Sequence, residues 1–71
     1  MNNIPQAYLH TPSELVVLLV RAGWSQEEIA NETESTQATI SRILHGMHKD
    51  PKYSLVVKLR NAVLKLEELV E

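Results

Sequence analysis

Residues 23–46 read GWSQEEIANETESTQATISRILHG, and this segment has the features of two short helices joined by a tight connection. Its SQEE sequence is a capping box, in which the Ser25 hydroxyl can accept a hydrogen bond from the third helical amide and Glu28 can reach back to the Ser25 amide. Gly23, just before this cap, can end an earlier helix. These features predict a helix over about residues 26–32.

A second helix is predicted to follow, after a connection formed by residues 33–35. Thr36 can cap this helix and Gly46 can end it, because glycine adopts the left-handed conformation without a steric penalty. At about 100° per residue, the two sides of the helix differ in chemistry. One side holds Ile40, Ile43, Leu44 and Met47, and the other holds Ala38, Ser41, Arg42 and His45. The second side has no bulky apolar residue and no negative charge.

A further predicted helix precedes this pair. Its start is marked by TPSE at residues 11–14, a capping box with proline at the first helical position, and its end by Gly23. The apolar run at residues 15–20 could also form a buried strand, but the cap before it and the glycine after it favour a helix over about residues 12–22. Residues 1–10 are expected to form a loose or lightly docked arm.

A long helix is predicted near the C-terminal end, over about residues 54–70. Apolar residues recur in it at spacings of 4, 3, 4 and 3, and a second apolar stripe lies beside them. The first stripe holds Leu55, Leu59, Ala62, Leu66 and Leu69, and the second holds Val56, Val63 and Val70. One stripe can cover the core and leave the other for a partner. The expected fold is all-α, with four helices in one domain over residues 1–71.

The composition limits the possible functions of the chain. It has 71 residues, no cysteine and two glycines, both of which are explained as helix stops. A structural zinc site needs four ligands, and His45 and His48 have no cysteine or carboxylate cluster to complete one. The sequence has no glycine-rich phosphate loop and no nucleophile beside a plausible base. It therefore predicts no enzyme and no metal or cofactor site, and its longest apolar run is too short to span a membrane.

Charge is distributed unevenly along the chain, whose formal net charge is −2. Residues 1–35 contain five acids and one base, residues 36–65 contain six bases and one acid, and residues 66–71 contain three acids. A basic segment between acidic ends is typical of contact with a polyanion through one face. A solvated surface of mixed charge is the alternative interpretation.

Two short helices with a tight connection, the second with a small, acid-free polar side, form an arrangement that fits the DNA major groove. The segment also resembles the Cro/C1-type helix-turn-helix family, the lambda-repressor-like domains. The matching residues are Gln26, Ala30, Ile40, Ile43, and the Ile-Ser-Arg triplet followed by Gly46. The resemblance covers about 50 residues, is moderately specific, and implies a four-helix DNA-binding domain.

The chain departs from the family pattern at two positions of the connection. The family usually has glycine where this chain has Glu34, and an aliphatic residue where it has Thr33. A residue other than glycine is strained in the left-handed conformation. The apolar residues of both flanking helices keep the family pattern.

The resemblance implies a role for the exposed residues of the helix pair. The residues expected to read bases are Gln37, Ala38, Ser41 and Arg42, since glutamine can bond adenine, an alanine methyl can touch thymine and arginine can bond guanine. Those expected near phosphates are Gln26, Thr39, His45, Lys49 and Lys52. As plainer alternatives, Gln26, Gln37 and Thr39 are solvated residues at helix starts. Arg42 can instead pair with a neighbouring acid.

The function implied by the resemblance is that of a transcriptional regulator of the phage Cro or compact prophage type, usually a repressor. It would bind a pseudo-palindromic site in double-stranded DNA as a homodimer, in the cytoplasm and at the nucleoid. The dimer contact is expected at Val56, Val63 and Val70, or at the apolar surface of the first helix. The alternative is a protein-interaction module, such as an antitoxin or adaptor, that uses the apolar C-terminal helix to bind a protein partner.

Overall fold

The computed structural model describes residues 10–48 and 50–69 of the chain. Within these residues the regular structure is entirely helical, with α1 at Pro12–Arg21, α2 at Gln26–Glu32, α3 at Gln37–Leu44 and α4 at Tyr53–Leu69. The expected all-α class and four helices are confirmed. The helix ends agree with the expected ones to within one residue, except that α3 ends at Leu44, before the expected stop at Gly46. Most of the expected N-terminal arm lies outside the described residues.

Hydrogen bonds of their own caps explain where α1 and α2 begin. The Glu14 amide donates to Thr11 Oγ1 at 3.2 Å, and the Thr11 amide donates to Glu14 Oε1 at 2.8 Å. Ser25 and Glu28 make the same two bonds, at 3.0 and 2.8 Å. Both expected capping boxes are confirmed. Each satisfies amides that have no acceptor inside the helix.

One apolar core holds the four helices together. α3 packs against α1 and α2, and α4 packs mainly against α1, with a smaller contact to α2. The buried apolar side chains are those of Leu15, Val16, Leu19, Ile29, Ala30, Ile40, Ile43, Leu59, Ala62 and Val63. The end of α3 is also tied to α1, because Ser13 Oγ donates to the Leu44 carbonyl oxygen at 3.1 Å. α3 is therefore exposed to solvent only on the side opposite Ile40 and Ile43.

The expected division of α4 into a core stripe and a partner stripe is wrong at Val63. Its side chain is 2% exposed and lies in the core beside Leu59 and Ala62. The buried side of α4 is therefore wider than a single stripe of a seven-residue repeat. Val63 cannot contribute to a dimer contact while the domain keeps this core. Val56 is half-buried, and Val70 lies outside the described residues.

The apolar side of α3 ends earlier than the helical periodicity indicates. α3 stops at Leu44, and Gly46 follows with a φ of 72°. Met47 lies beyond this break and is 72% exposed. The 3.6-residue periodicity applies only while the backbone stays helical, and for this reason Met47 does not join the core.

Candidate nucleic-acid interface

The structure places the four expected base-reading residues on one side of α3, which we call the α3 outer face. Gln37, Ala38 and Arg42 are exposed, and Ser41 is half-buried. The opposite side of the helix is buried in the core, so the outer face points away from the domain. No acidic residue lies in α3. A face of this kind can approach phosphates without repulsion from its own helix.

The side chain of Arg42 folds back along α3 towards the start of the helix. Its Nη2 donates to Thr39 Oγ1 at 3.4 Å, and Thr36 Oγ1 donates to the same oxygen at 2.9 Å. Thr36 Oγ1 also caps α3 by accepting from the Thr39 amide at 3.2 Å. Within residues 10–48 and 50–69, no carboxylate lies within ion-pair distance of Arg42. Most donors of this guanidinium are therefore available to an external acceptor.

The residues expected near phosphates differ in their surroundings. Gln26 is half-buried at the first position of α2, and Lys52 is exposed just before α4. Thr39 is half-buried, and its hydroxyl already bonds two neighbouring side chains. Lys49 lies outside the described residues. A phosphate can reach the exposed Lys52 side chain, whereas it would have to compete with Thr36 and Arg42 for the Thr39 hydroxyl.

The expected phosphate contact of His45 depends on its protonation. His45 is exposed at the C-terminal cap of α3, and its Nδ1 lies 2.8 Å from the Ser41 carbonyl oxygen. A carbonyl oxygen only accepts hydrogen bonds, so we assign the hydrogen to Nδ1, which leaves Nε2 of a neutral ring as an acceptor. Phosphate oxygens also accept. A bond from Nε2 to phosphate therefore requires the imidazolium form.

The connection between α2 and α3 contains both departures from the family pattern. Glu34 has a φ of 56°, in the left-handed region that glycine usually occupies. Thr33 is 2% exposed, and its hydroxyl donates to the Ile29 carbonyl oxygen at 2.8 Å. A buried hydroxyl with a hydrogen-bond partner avoids the penalty of an unsatisfied group. The connection thus forms without glycine and without an aliphatic residue at the buried position.

Two ion pairs join α4 to Glu34 of this connection and to Glu32 at the end of α2, and neither of them was predicted from the sequence. Lys58 Nζ donates to Glu34 Oε1, and Lys65 Nζ donates to Glu32 Oε2 at 3.0 Å. The hydrogen bond from Lys58 holds the pKa of the Glu34 carboxyl below its ordinary value. The sequence signal for these pairs is the spacing of seven between the lysines, which places them on one side of α4.

These pairs change the interpretation of charge along the chain. In the part of the chain that the structure describes, Lys58 and Lys65 of this basic segment contact acids of residues 1–35. Part of the positive charge of the basic segment is therefore paired within the domain.

Metal and membrane sites were also considered for the part of the chain that the structure describes. In that part, no three His, Cys, Asp or Glu side chains are grouped closely enough to hold a metal ion. None of its helices combines the length and apolar character needed to cross a membrane. A groove of about 320 Å³ separates the α2–α3 connection from the start of α4, and most of its lining side chains are polar or charged.

Comparisons with known proteins agree with this architecture. A helix-turn-helix family model matches residues 17–63, from within α1 to within α4. Protein P2 of Acyrthosiphon pisum secondary endosymbiont phage 1 is 42% identical over 67 residues, which cover 93% of this chain and 71% of that protein. No solved structure matches the chain. The chain belongs to the Cro/C1-type helix-turn-helix family of DNA-binding regulators.

Proposed function

We propose that this chain represses transcription by binding a specific double-stranded DNA site, with α3 in the major groove. The observation that carries the proposal is the α3 outer face, which is exposed, free of acids and contains Arg42. Family membership supports DNA binding in general, and the chemistry of this face supports sequence specificity. A repressor of this kind acts by occluding polymerase from the site that it covers.

The residues of the α3 outer face have distinct proposed roles. Gln37 and Ala38 lie in the first turn of α3, the part of a recognition helix that contacts base edges. Gln37 is proposed to bond adenine N6 and N7, and Ala38 to contact a thymine methyl group. Arg42, one turn later, is proposed to bond guanine O6 and N7. The Ser41 hydroxyl can donate or accept and is the least selective of the four.

Phosphate contacts are proposed to orient the domain on the duplex. Gln26 lies at the N-terminal end of α2, where helix amides and the helix dipole favour an anion. Lys52 and the protonated form of His45 supply positive charge at other points of the interface. Thr39 and Lys49 complete the proposed set. These contacts position the protein but carry no base information.

We further propose that two copies bind a pseudo-palindromic operator, with their α3 helices in major grooves about 34 Å apart. The proposed dimer surface includes either Val56, which is half-buried on α4, or the exposed side of α1, where Val20 is 39% exposed. Sedimentation at micromolar concentration tests each surface with Val56→Glu or Val20→Glu. The variant that becomes monomeric identifies the contact, and dimers in both variants would contradict the proposed surfaces.

Selection of bound sites from randomised duplex DNA tests specificity, symmetry and spacing together. The expected product is a site with two-fold symmetry and half-site centres about 10 base pairs apart. Failure to enrich any sequence would refute specific recognition. Enrichment of isolated half-sites would refute the dimer.

The protein-interaction alternative loses support from the structure of α4. It rested in part on a second apolar stripe along this helix, and Val63, in the middle of that stripe, is in the core. Binding to random DNA as a function of salt distinguishes the two functions. A groove-binding protein that neutralises several phosphates has a steep salt dependence, whereas an adaptor has none.

A further inference from the structure

α3 is held at its two ends by different parts of the domain. At its C-terminal end, Ser13 of α1 donates to the Leu44 carbonyl oxygen at 3.1 Å. Before its N-terminal end, Glu34 has the left-handed φ of 56°. In the described residues α3 packs against α1 and α2 and has little contact with α4. The backbone conformation of Glu34 therefore affects where the first turn of α3, with Gln37, lies on the domain.

α4 reaches the connection through charged side chains. Lys58 contacts Glu34 and Lys65 contacts Glu32, and these two acids lie on either side of the buried Thr33. The groove of about 320 Å³ is lined by residues of the connection and by residues of α4, including Glu34 and Lys58. The Lys58 side chain thus spans this groove to reach Glu34. Because most of the lining side chains are polar or charged, apolar packing there could not take over the role of the ion pair.

We propose that Glu34 and Lys58 are positioning residues for DNA recognition. Their ion pair holds the strained Glu34 backbone in place and thereby sets the position of α3 against the duplex. A glycine adopts the left-handed conformation without steric strain, so a chain with glutamate there depends more on an additional contact. The Glu32–Lys65 pair supports the same connection from the end of α2. This inference rests on the proposed DNA binding, but it concerns residues that are not expected to touch DNA.

The direction in which Glu34→Gln changes DNA affinity distinguishes a positioning role of Glu34 from a purely electrostatic effect of its charge. Glu34→Gln removes a negative charge, so Coulomb repulsion alone predicts tighter DNA binding. Positioning predicts weaker binding, because the ion pair with Lys58 is lost. Since exposed ion pairs are weak, we expect operator affinity to fall about two- to five-fold. The matched control is Glu27→Gln, an exposed acid of α2 that makes no ion pair in the described part of the chain. It is expected to raise operator affinity slightly.

Variants of Lys58 test the other member of the pair. Lys58→Gln is expected to weaken operator binding more than Arg21→Gln, which also removes one positive charge, from exposed Arg21 of α1. Lys58→Arg keeps the ion pair and is expected to retain affinity. In a Glu34→Gly background the connection no longer needs the pair. There, Lys58→Gln is expected to cause no loss beyond that of Arg21→Gln.

Binding of every variant is measured at one salt concentration, and thermal melting verifies that each is folded. Operator binding by Glu34→Gln that equals or exceeds that of Glu27→Gln would overturn the proposal. If the unmodified chain binds no DNA, the proposed function fails, and NMR of the chain alone then decides the inference. Amide shifts of residues 35–39 are expected to change in both Glu34→Gln and Lys58→Gln but not in Glu27→Gln. Unchanged shifts in the first two variants would overturn it.

Discussion

The α3 outer face and the lysine side of α4 come from the same basic segment, yet their charges have different surroundings. Arg42 is exposed and donates to a threonine hydroxyl, whereas Lys58 donates to Glu34 of the α2–α3 connection and Lys65 to Glu32 at the end of α2. A charge count along the sequence treats these three basic residues alike. The difference indicates that the positive charge available to DNA is smaller and more localised than the net charge of the segment. Lys58 and Lys65 are instead paired with acids inside the domain.

The largest expected effect tests whether the inner side of α4 is core. Val63→Glu would bury a carboxylate, at a penalty of several kcal/mol, in a small domain whose total stability is on the order of 5 kcal/mol. We expect the cooperative thermal transition followed by circular dichroism to disappear. Val56→Glu, at a half-buried position of the same helix, is expected to keep that transition. A melt of Val63→Glu like that of the unmodified chain would contradict the burial of Val63.

The next effect tests the α3 outer face directly. Arg42→Ala should reduce operator affinity about 5- to 100-fold, because a good bidentate contact contributes about 1 to 3 kcal/mol of base discrimination. Affinity for random DNA should fall much less. Titration of both DNAs by fluorescence anisotropy measures the ratio. An equal loss on both DNAs would show that Arg42 contacts the backbone and reads no base.

A pair of lysine variants sharpens the comparison between exposed and paired charge. Lys52→Ala is expected to weaken binding to operator and random DNA alike, and to reduce the slope of log affinity against log salt by about 1. Lys65→Ala removes a lysine that is paired with Glu32 and is expected to leave this slope unchanged. If both variants reduced the slope equally, Lys65 would also face the DNA.

The smallest expected effect is the pH dependence of stability that arises from the Glu14 and Glu34 carboxylates. The pKa of Glu14 is lowered chiefly by the hydrogen bond from the Thr11 amide, and that of Glu34 by the hydrogen bond from Lys58. A pKa that is lower in the folded state adds stability above the ordinary value of 4.5, and this stability is lost as the pH falls through the folded pKa. The melting temperature should therefore fall on acidification, and fall less in Glu14→Gln. Calorimetric melts between about pH 6 and pH 3 measure this, and identical profiles would count against the cap.

Local chemistry explains why the helix starts could be predicted. The Thr11, Ser25 and Thr36 oxygens each accept a hydrogen bond from an amide three residues ahead. Such bonds depend on few torsion angles, so they follow from the order of neighbouring residues. The α3 outer face could also be predicted from the sequence, because helical periodicity alone separates this polar side of α3 from Ile40 and Ile43. Its residues lie where expected, while their contacts with DNA stay predictions.

The burial of Val63 and the two ion pairs depend on how α4 docks. Both apolar stripes of α4 could face a core, and the docking of α4 against α1 and α2 places Val63 inside. Lys58 and Glu34 are 24 residues apart, and Lys65 and Glu32 are 33 apart. Residue order within one turn is sufficient for caps, helix faces and stops, because those interactions are short-range. Contacts between distant segments depend on the angles at which whole helices cross, and these angles arise from the packing of all four helices together.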